Sequence, residues 1–578
     1  MPVNFAEKAN FIWSVADLLR GDFKQSEYGK VILPFTVLRR FDCVLAPFKE
    51  KIIKLNKTLA VNNKKPVFKR LTGFDYYNIS YFDFQKLLDD SNAIETNLRD
   101  YINGFSDDVK EILDNFELGT VIERLKKSNL LYRIIQKFSE INLDADTVKN
   151  LEMGYIFEEL IRRFSEQSNE TAGEHFTPRE VIELMVELLL EPDMREMSKD
   201  GIVKTIYDPA CGTGGMLSIT QNKMVDINTS TTIIPFGQEL NPETYAICKS
   251  DMILKGNTNS KTILGNSFSE DGFRGRYFDY MLSNPPFGVE WKKVEKIIRD
   301  EAETQGFDGR FGAGTPRISD GSLLFLQHMI SKMNPLDKGG SRIGIVFNGS
   351  PLFTGDAGSG ESDIRKWIIE NDLLEAVIAL PNQLFYNTGI FTYIWILTNR
   401  KSNRRKGKIR LVNGVSYFEK MRKSLGDKRN LISEENRCEI VKLYSTQEPS
   451  ENYKDFNNKD FGYYKIVVER PLRDENGRIM FDKKGEPKAD SALRDTENVP
   501  MVKREAQSVT IANYFQSEVL PHVSDAWIDK TKTKIGYEIA FTRHFYKFTP
   551  LRSSKEILSE IKELESKITK GLAEVLEK

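Results

Sequence analysis

Hydrophobic residues return every three or four positions through residues 1–150: Phe11, Ile12, Val15, Leu18 and Leu19, and later Ile112, Leu113, Phe116, Ile122, Leu125 and Leu131. That period predicts amphipathic helices, and no strand-like alternation interrupts it for long. One more such helix is expected over Tyr155, Ile156, Leu160, Ile161 and Phe164. Next, Thr177 is placed as an N-cap, Pro178 as first helical residue, and Glu180 three residues after the cap. Together they announce a helix over Val181, Ile182, Met185, Val186 and Leu189.

The period then shortens. Val203–Tyr207, Ile233–Gly237, Thr262–Leu264 and Tyr277–Leu282 read as short apolar strands, and helices follow from Met216 and over Tyr245–Leu254. Residues 288–320 are polar and contain Gly306, Gly309, Gly312 and Gly314. A stretch of that length predicts a lid or a disordered loop, here one that contacts substrate. Ser319 and Asp320 then cap a helix through Leu323, Leu324, Leu326, Met329 and Ile330, and strands Ile343–Phe347, Ala376–Leu380 and Tyr393–Leu397 complete the sheet. The last strand runs through six basic residues from Arg400 to Lys408 into Ile409–Val412, which predicts a hairpin with a basic tip. A solvated turn is the simpler reading of that tip, and phosphate contact the other. Residues 420–510 are charged and mixed, and the chain ends in a narrow apolar stripe, Leu558, Ile561, Leu564, Ile568, Leu572 and Val575, of coiled-coil type.

Length and composition bound these expectations without choosing a chemistry. The 578 residues are too many for one domain, and 29% charged with 40% hydrophobic residues is the balance of a soluble globular protein. No apolar run is long enough for a bilayer, and the N-terminus lacks the plan of a secretion signal. Cys43, Cys211, Cys248 and Cys438 are scattered without metal-ligand spacing, so they are expected to be thiols in a cytoplasmic protein. A net charge of −1 neither favours nor excludes nucleic acid.

Chemistry enters where the strands end. Asp208-Pro209-Ala210-Cys211-Gly212-Thr213-Gly214-Gly215 follows the first strand, and its glycines permit close backbone approach to a ligand over a helix N-terminus. It is neither the dinucleotide fingerprint nor a phosphate loop. An acid before the loop would repel a pyrophosphate but attract an ammonium or sulfonium group. Glu239 ends the second strand, where a carboxylate can accept ribose hydroxyls, and Gly265-Asn266-Ser267 ends the third. The fourth ends at Asn284-Pro285-Pro286-Phe287, whose prolines force the backbone out of the sheet. The Asn284 oxygen and a proline carbonyl could accept both hydrogens of a planar amine while Phe287 stacks on its ring.

This order of elements resembles the adenine amino-methyltransferases that use S-adenosylmethionine. Gly173-Glu174-His175-Phe176-Thr177-Pro178-Arg179 ahead of the glycine loop looks like the modification subunit of type I restriction–modification enzymes. Trp13, Ala16–Gly21, Glu27-Tyr28, Asp460–Tyr463, Glu469–Leu472 and Gly536–Ile539 are similar to that family too. Two departures are minor: His175 stands where Tyr or Phe is common, and Cys211 lies inside the glycine loop. The resemblance implies an α/β, Rossmann-like methyltransferase core with an all-helical N-terminal domain and a C-terminal helical tail. Its expected divisions are 1–150, 151–415, 416–550 and 551–578. It implies that Asp208, Gly212, Thr213, Gly214 and Gly215 hold the amino-acid end of S-adenosyl-L-methionine, Glu239 its ribose and Asn266 its adenine. Glu174 through Arg179 would cover it, and Asn284, Pro285, Pro286 and Phe287 would hold a flipped-out adenine. Implied partners are DNA, a specificity subunit bound to two copies of this chain, and a restriction subunit. Two rivals share these residues: a methyltransferase for a protein glutamine or RNA guanine, and a non-catalytic scaffold of a DNA-bound complex.

Overall fold

A computed structural model describes residues 5–59, 64–168, 177–255, 260–386, 388–502, 510–546 and 553–576. The chain divides into one unit over Met1–Ile539 and a second over Ala540–Lys578. No helix among the described residues is long and apolar enough to cross a membrane.

The helical preface forms as its period predicts. Its central helix, Tyr28–Leu45, is buried almost all round and collects the shorter helices about it. Met153, Ile156, Phe157 and Leu160 of helix Asn150–Ser168 belong to the same core. So do Ala246, Ile247 and Leu254 of helix Pro242–Leu254, which ties the preface to the sheet region.

Among the described residues, nine strands form the main sheet. In chain order they are β1 Val203–Asp208, β2 Thr232–Glu239, β3 Lys261–Leu264, β4 Tyr280–Ser283, β5 Arg342–Asn348, β6 Leu374–Ala379, β7 Thr392–Thr398, β8 Lys408–Asn413 and, after the separate hairpin β9 Glu419–Leu425 and β10 Lys428–Leu431, β11 Tyr453–Asn457. The spatial order is β11-β8-β6-β7-β5-β4-β1-β2-β3. β3, β2, β1, β4 and β5 are mutually parallel, β7 is antiparallel to both β5 and β6, and β8 is parallel to β6. Successive strands step outward from β1 to β3, then return to the other side of β1 with β4. Between β1 and β4 lies the switch point at which open α/β sheets bind ligands beyond their carboxyl ends. β12 Gly462–Glu469, β13 Asp495–Pro500 and β14 Trp527–Tyr537 make a smaller antiparallel sheet.

Three expectations are corrected. Tyr393–Leu397 and Ile409–Val412 do not form a hairpin, because β6 lies between them. The basic turn joining them lies at the amino edge of β5, opposite the carboxyl ends of β1 and β4, and much of its charge is already paired. Arg400 bonds Asp193 at 2.7 Å, Lys401 bonds Asp372 at 2.6 Å, and the buried Arg405 donates to the Tyr444 carbonyl. Residues 288–320 are not a bare loop: helix Glu295–Gln305 lies within them, and Trp291, Ile298 and Phe311 share a small core with Phe268 and Leu324. Last, the helix after Thr177 spans Arg179–Leu190 with Pro178 as its N-cap, since the Thr177 hydroxyl is engaged elsewhere.

The second unit contains helix Ser554–Leu576. Ile557, Leu558, Ile561, Leu564 and Ile568 stand between 44% and 62% exposed along it.

Candidate active site at the carboxyl edge of the sheet

The glycine loop turns on two residues in the left-handed region. Gly212 has φ +53 and Gly214 φ +80, the latter as N-cap of helix Gly215–Ile227. Their surroundings differ. A Cβ on Gly212 would meet nothing within 4 Å, whereas one on Gly214 would lie 2.6 Å from the Cys248 sulfur. Gly212 therefore leaves a hollow on the ligand side, and Gly214 lets the loop lie against helix Pro242–Leu254.

Neighbouring strand ends brace this loop. The Gly212 N–H donates to Glu239 Oε2 at 2.7 Å and the Asn241 N–H to Oε1 at 2.8 Å. The Cys211 N–H donates to the Gln238 carbonyl at 3.0 Å. Asn266 accepts from the Phe268 N–H at 2.8 Å, and the Ser267 hydroxyl donates to the Pro209 carbonyl at 2.6 Å. Asp208 is 2% exposed and accepts from the Ala210 N–H at 3.0 Å and the Ser283 hydroxyl at 2.9 Å. Burial pushes its carboxyl up to about 7, the two hydrogen bonds oppose that, and the Glu239 charge adds to it. A cationic group nearby would restore the carboxylate.

The proline turn leaves β4 at Ser283, as two residues without N–H donors require. The Asn284 amide nitrogen donates to Thr177 Oγ1 at 2.8 Å, which orients the amide from a segment 107 residues earlier. The Phe287 ring meets Phe385 edge-on, with centroids 6.5 Å apart. Phe385 follows β6, and its loop is braced from outside. Gln383 O accepts from the Arg429 N–H at 2.9 Å and Tyr386 O from the Asp427 N–H at 2.8 Å. The buried Lys428 ammonium donates to Glu180, and to the Leu384 carbonyl at 2.9 Å.

Residues 289–294 form one wall. Trp291 Nε1 donates to the Arg317 carbonyl at 2.9 Å. Arg310 locks this excursion to the loop after β3: it donates to the Ser267 carbonyl at 2.9 Å and the Phe268 carbonyl at 2.7 Å, and pairs with Glu301 at 2.6 Å. Beneath it, His328 faces both Arg310 and the Tyr207 hydroxyl, and burial holds its ring well below the usual imidazole range.

These walls enclose a cleft of about 880 Å³. Thr177, Asp208, Gly212, Thr213, Gly215, Glu239, Asn266, Asn284 and Pro286 line it, with Met216, Phe325 and Trp291 as apolar surface. Pro178, Arg179, Gly214, Pro285 and Phe287 are not among the lining residues; Arg179 stacks over Tyr155 at 3.4 Å. Glu174, His175 and Phe176 lie outside the described residues. The Thr177–Asn284 bond, Phe385 and Arg310 were not legible beforehand. Only Phe385 carried a signal, as the aromatic residue after a further strand end. The cleft suits a ligand with a cationic centre for Asp208, vicinal hydroxyls for Glu239 and a flat heterocycle beside Asn266, because each group sits on a different strand end.

Comparison with known proteins bears on the family and the fold. Residues 149–469 match the family model described as N-6 DNA Methylase, and residues 8–138 that of the HsdM N-terminal domain. The chain is 26% identical over 499 residues to the type I restriction enzyme MjaIX methylase subunit of Methanocaldococcus jannaschii, covering 82% of this chain and 83% of that relative. It is 29% identical over 319 residues to the HindI methylase subunit of Haemophilus influenzae, covering 52% and 65%. Its fold is similar to the crystal structure of a type I restriction–modification system methyltransferase subunit from Streptococcus thermophilus. The TM-score is 0.61 at 20% identity, over 79% of this chain and 97% of that one.

Proposed function

The chain belongs to the N-6 DNA methylase family, and from that premise we propose how its residues divide the work of adenine N6 methylation. The cofactor is S-adenosyl-L-methionine, which supplies a methyl group made electrophilic by its sulfonium centre. Asp208 and the backbone of Gly212, Thr213 and Gly215 would hold its amino-acid end, Glu239 its ribose, and Asn266 would border its adenine. Glu174 through Arg179 would cover it. Gly214 would act one step removed, by setting the path of the loop.

On the substrate side, Asn284 and a proline carbonyl accept the two amine hydrogens of a flipped-out adenine. That favours the pyramidal amine whose lone pair can attack, since an amine conjugated to a ring is otherwise a poor nucleophile. Thr177 holds the amide nitrogen, so Oδ1 is the end turned to the amine. Phe287 directly follows the lining residue Pro286 and would stack on a base entering there, and Phe385 meets that ring edge-on. One observation carries this reading: Asp208, Glu239, Asn266 and Asn284, from four strand ends, border one cleft at the switch point.

Assembly follows the same family likeness. The exposed stripe Ile557 to Ile568 would dock on helices of a specificity subunit, two copies of this chain to one partner, with a restriction subunit as a further associate in the cytoplasm. The test is methyl transfer from labelled cofactor to unmethylated DNA by the reconstituted complex. Asn284→Ala should retain cofactor binding and lose on the order of a hundredfold in single-turnover rate. A chain shortened from Arg552 should bind cofactor yet fail to co-purify with its partner. Wild-type rates in the first variant, or normal assembly of the second, would refute the assignments.

A further inference from the structure

We propose that the hairpin β9–β10 is a contact to the phosphate backbone of duplex DNA beside the target adenine, made through Lys420, Arg422, Lys423 and Arg429. The inference rests on the DNA-methylating reading above but adds a surface which that reading does not assign.

Placement is the first reason. The hairpin follows β8, which runs parallel to β6, so it emerges at the carboxyl edge where the cleft opens. Gly426, at φ +59, and Asp427 make its two-residue turn. The backbone of Asp427 and Arg429 then pins β10 to Tyr386 and Gln383, on either side of Phe385. Buried Lys428 bonds Glu180, on the helix that begins just after Thr177. A ribbon held this way is registered on the segments that orient Phe287 and Asn284.

Charge is the second reason. All four cations are exposed, and among the described residues none of them forms an ion pair. Glu419 and Asp427 are the hairpin's only acids. The basic turn from Arg400 to Lys408 differs on both counts, since it sits at the opposite edge and pairs Arg400 and Lys401 with carboxylates. Uncompensated guanidinium and ammonium groups on a fixed two-stranded ribbon fit a phosphate row, and they carry no base-reading geometry. They would therefore add affinity and position without specificity.

The test uses the complete methyltransferase complex with Lys420→Gln, Arg422→Gln and Lys423→Gln combined. Arg404→Gln with Lys406→Gln is the control at the other edge. Equilibrium DNA binding is measured against salt without turnover, alongside cofactor affinity. The hairpin variant should bind specific and unrelated duplexes more weakly to the same degree. The slope of log K against log salt should fall by about one for each phosphate contact removed. Cofactor affinity and the control's slope should not move. An unchanged slope in the hairpin variant overturns the proposal. So does loss of the specificity subunit from the complex, which would make the hairpin a protein contact. A wild-type complex that binds DNA with this slope but transfers no methyl group would overturn the methyl-transfer reading alone.

Discussion

Gly214→Ala separates loop geometry from ligand contact. The substitution meets two penalties. A residue with a Cβ at φ +80 carries about 1 kcal/mol of left-handed strain. The new methyl would also lie 2.6 Å from the Cys248 sulfur and 3.4 Å from the Met252 terminal carbon, inside a closed core. Overpacking of that kind costs about 1–3 kcal/mol. The total of about 2–4 kcal/mol should lower the melting temperature by roughly 1 °C per kcal/mol, because the unit that holds Gly214 spans Met1–Ile539. Cys248 is fully buried, so Cys248→Ala removes the clashing atom without exposing a polar group. In the double variant the overpacking share should be recovered while the strain remains, and the double-mutant cycle should report about 1–3 kcal/mol of coupling. Gly212→Ala, with φ +53 and open space where its methyl points, should lose only the strain share yet weaken cofactor binding. Scanning calorimetry of the four variants, with calorimetric titration of cofactor, measures both quantities. A Gly214→Ala protein that melts with wild type, or a Cys248→Ala background that restores nothing, would refute the packing argument.

Three further outcomes follow from the same geometry. The folded state holds the Asp208 proton more tightly than the unfolded chain, with the carboxyl raised from 3.8 to about 7, so its contribution to stability is present at low pH and lost as pH rises through that window. Melting measured from about pH 4 up to about pH 7 should therefore show ligand-free wild type falling relative to Asp208→Asn, while wild-type cofactor affinity rises. Thr177→Val keeps the side-chain shape but removes the acceptor of the Asn284 amide. It should lower the single-turnover rate by roughly tenfold, the equivalent of one hydrogen bond, and an unchanged rate would leave Thr177 without a positioning role. Arg310→Met removes the guanidinium from the half-buried Glu301 carboxylate and from two carbonyls, so it should destabilise by about 1–3 kcal/mol. Arg310→Lys should not restore stability, because an ammonium cannot reproduce the fork, and thermal unfolding of both variants checks this.

Much of the candidate site could be read from the chain because it is written in local backbone constraints. Glycines after Asp208 permit positive φ, and Pro285 and Pro286 end a strand wherever the fold carries them. Alternation of helix and strand then puts successive strand ends on one edge. The helical preface was legible for a similar reason, since its period is a property of neighbours in sequence. What depended on partners far along the chain was not legible. The basic turn after β7 looked like a hairpin because local pattern cannot report that β6 inserts between β7 and β8. Residues 288–320 looked like an open loop because their order comes from Arg310 gripping carbonyls about 42 residues away, and from a core shared with Phe268 and Leu324. The Thr177–Asn284 bond spans 107 residues and the Lys428–Glu180 pair 248. Apolar period and turn residues specify where the chain bends and which face is buried. Which side chains then meet across the carboxyl edge is decided by sheet order, and that is settled only when every strand has found its neighbour.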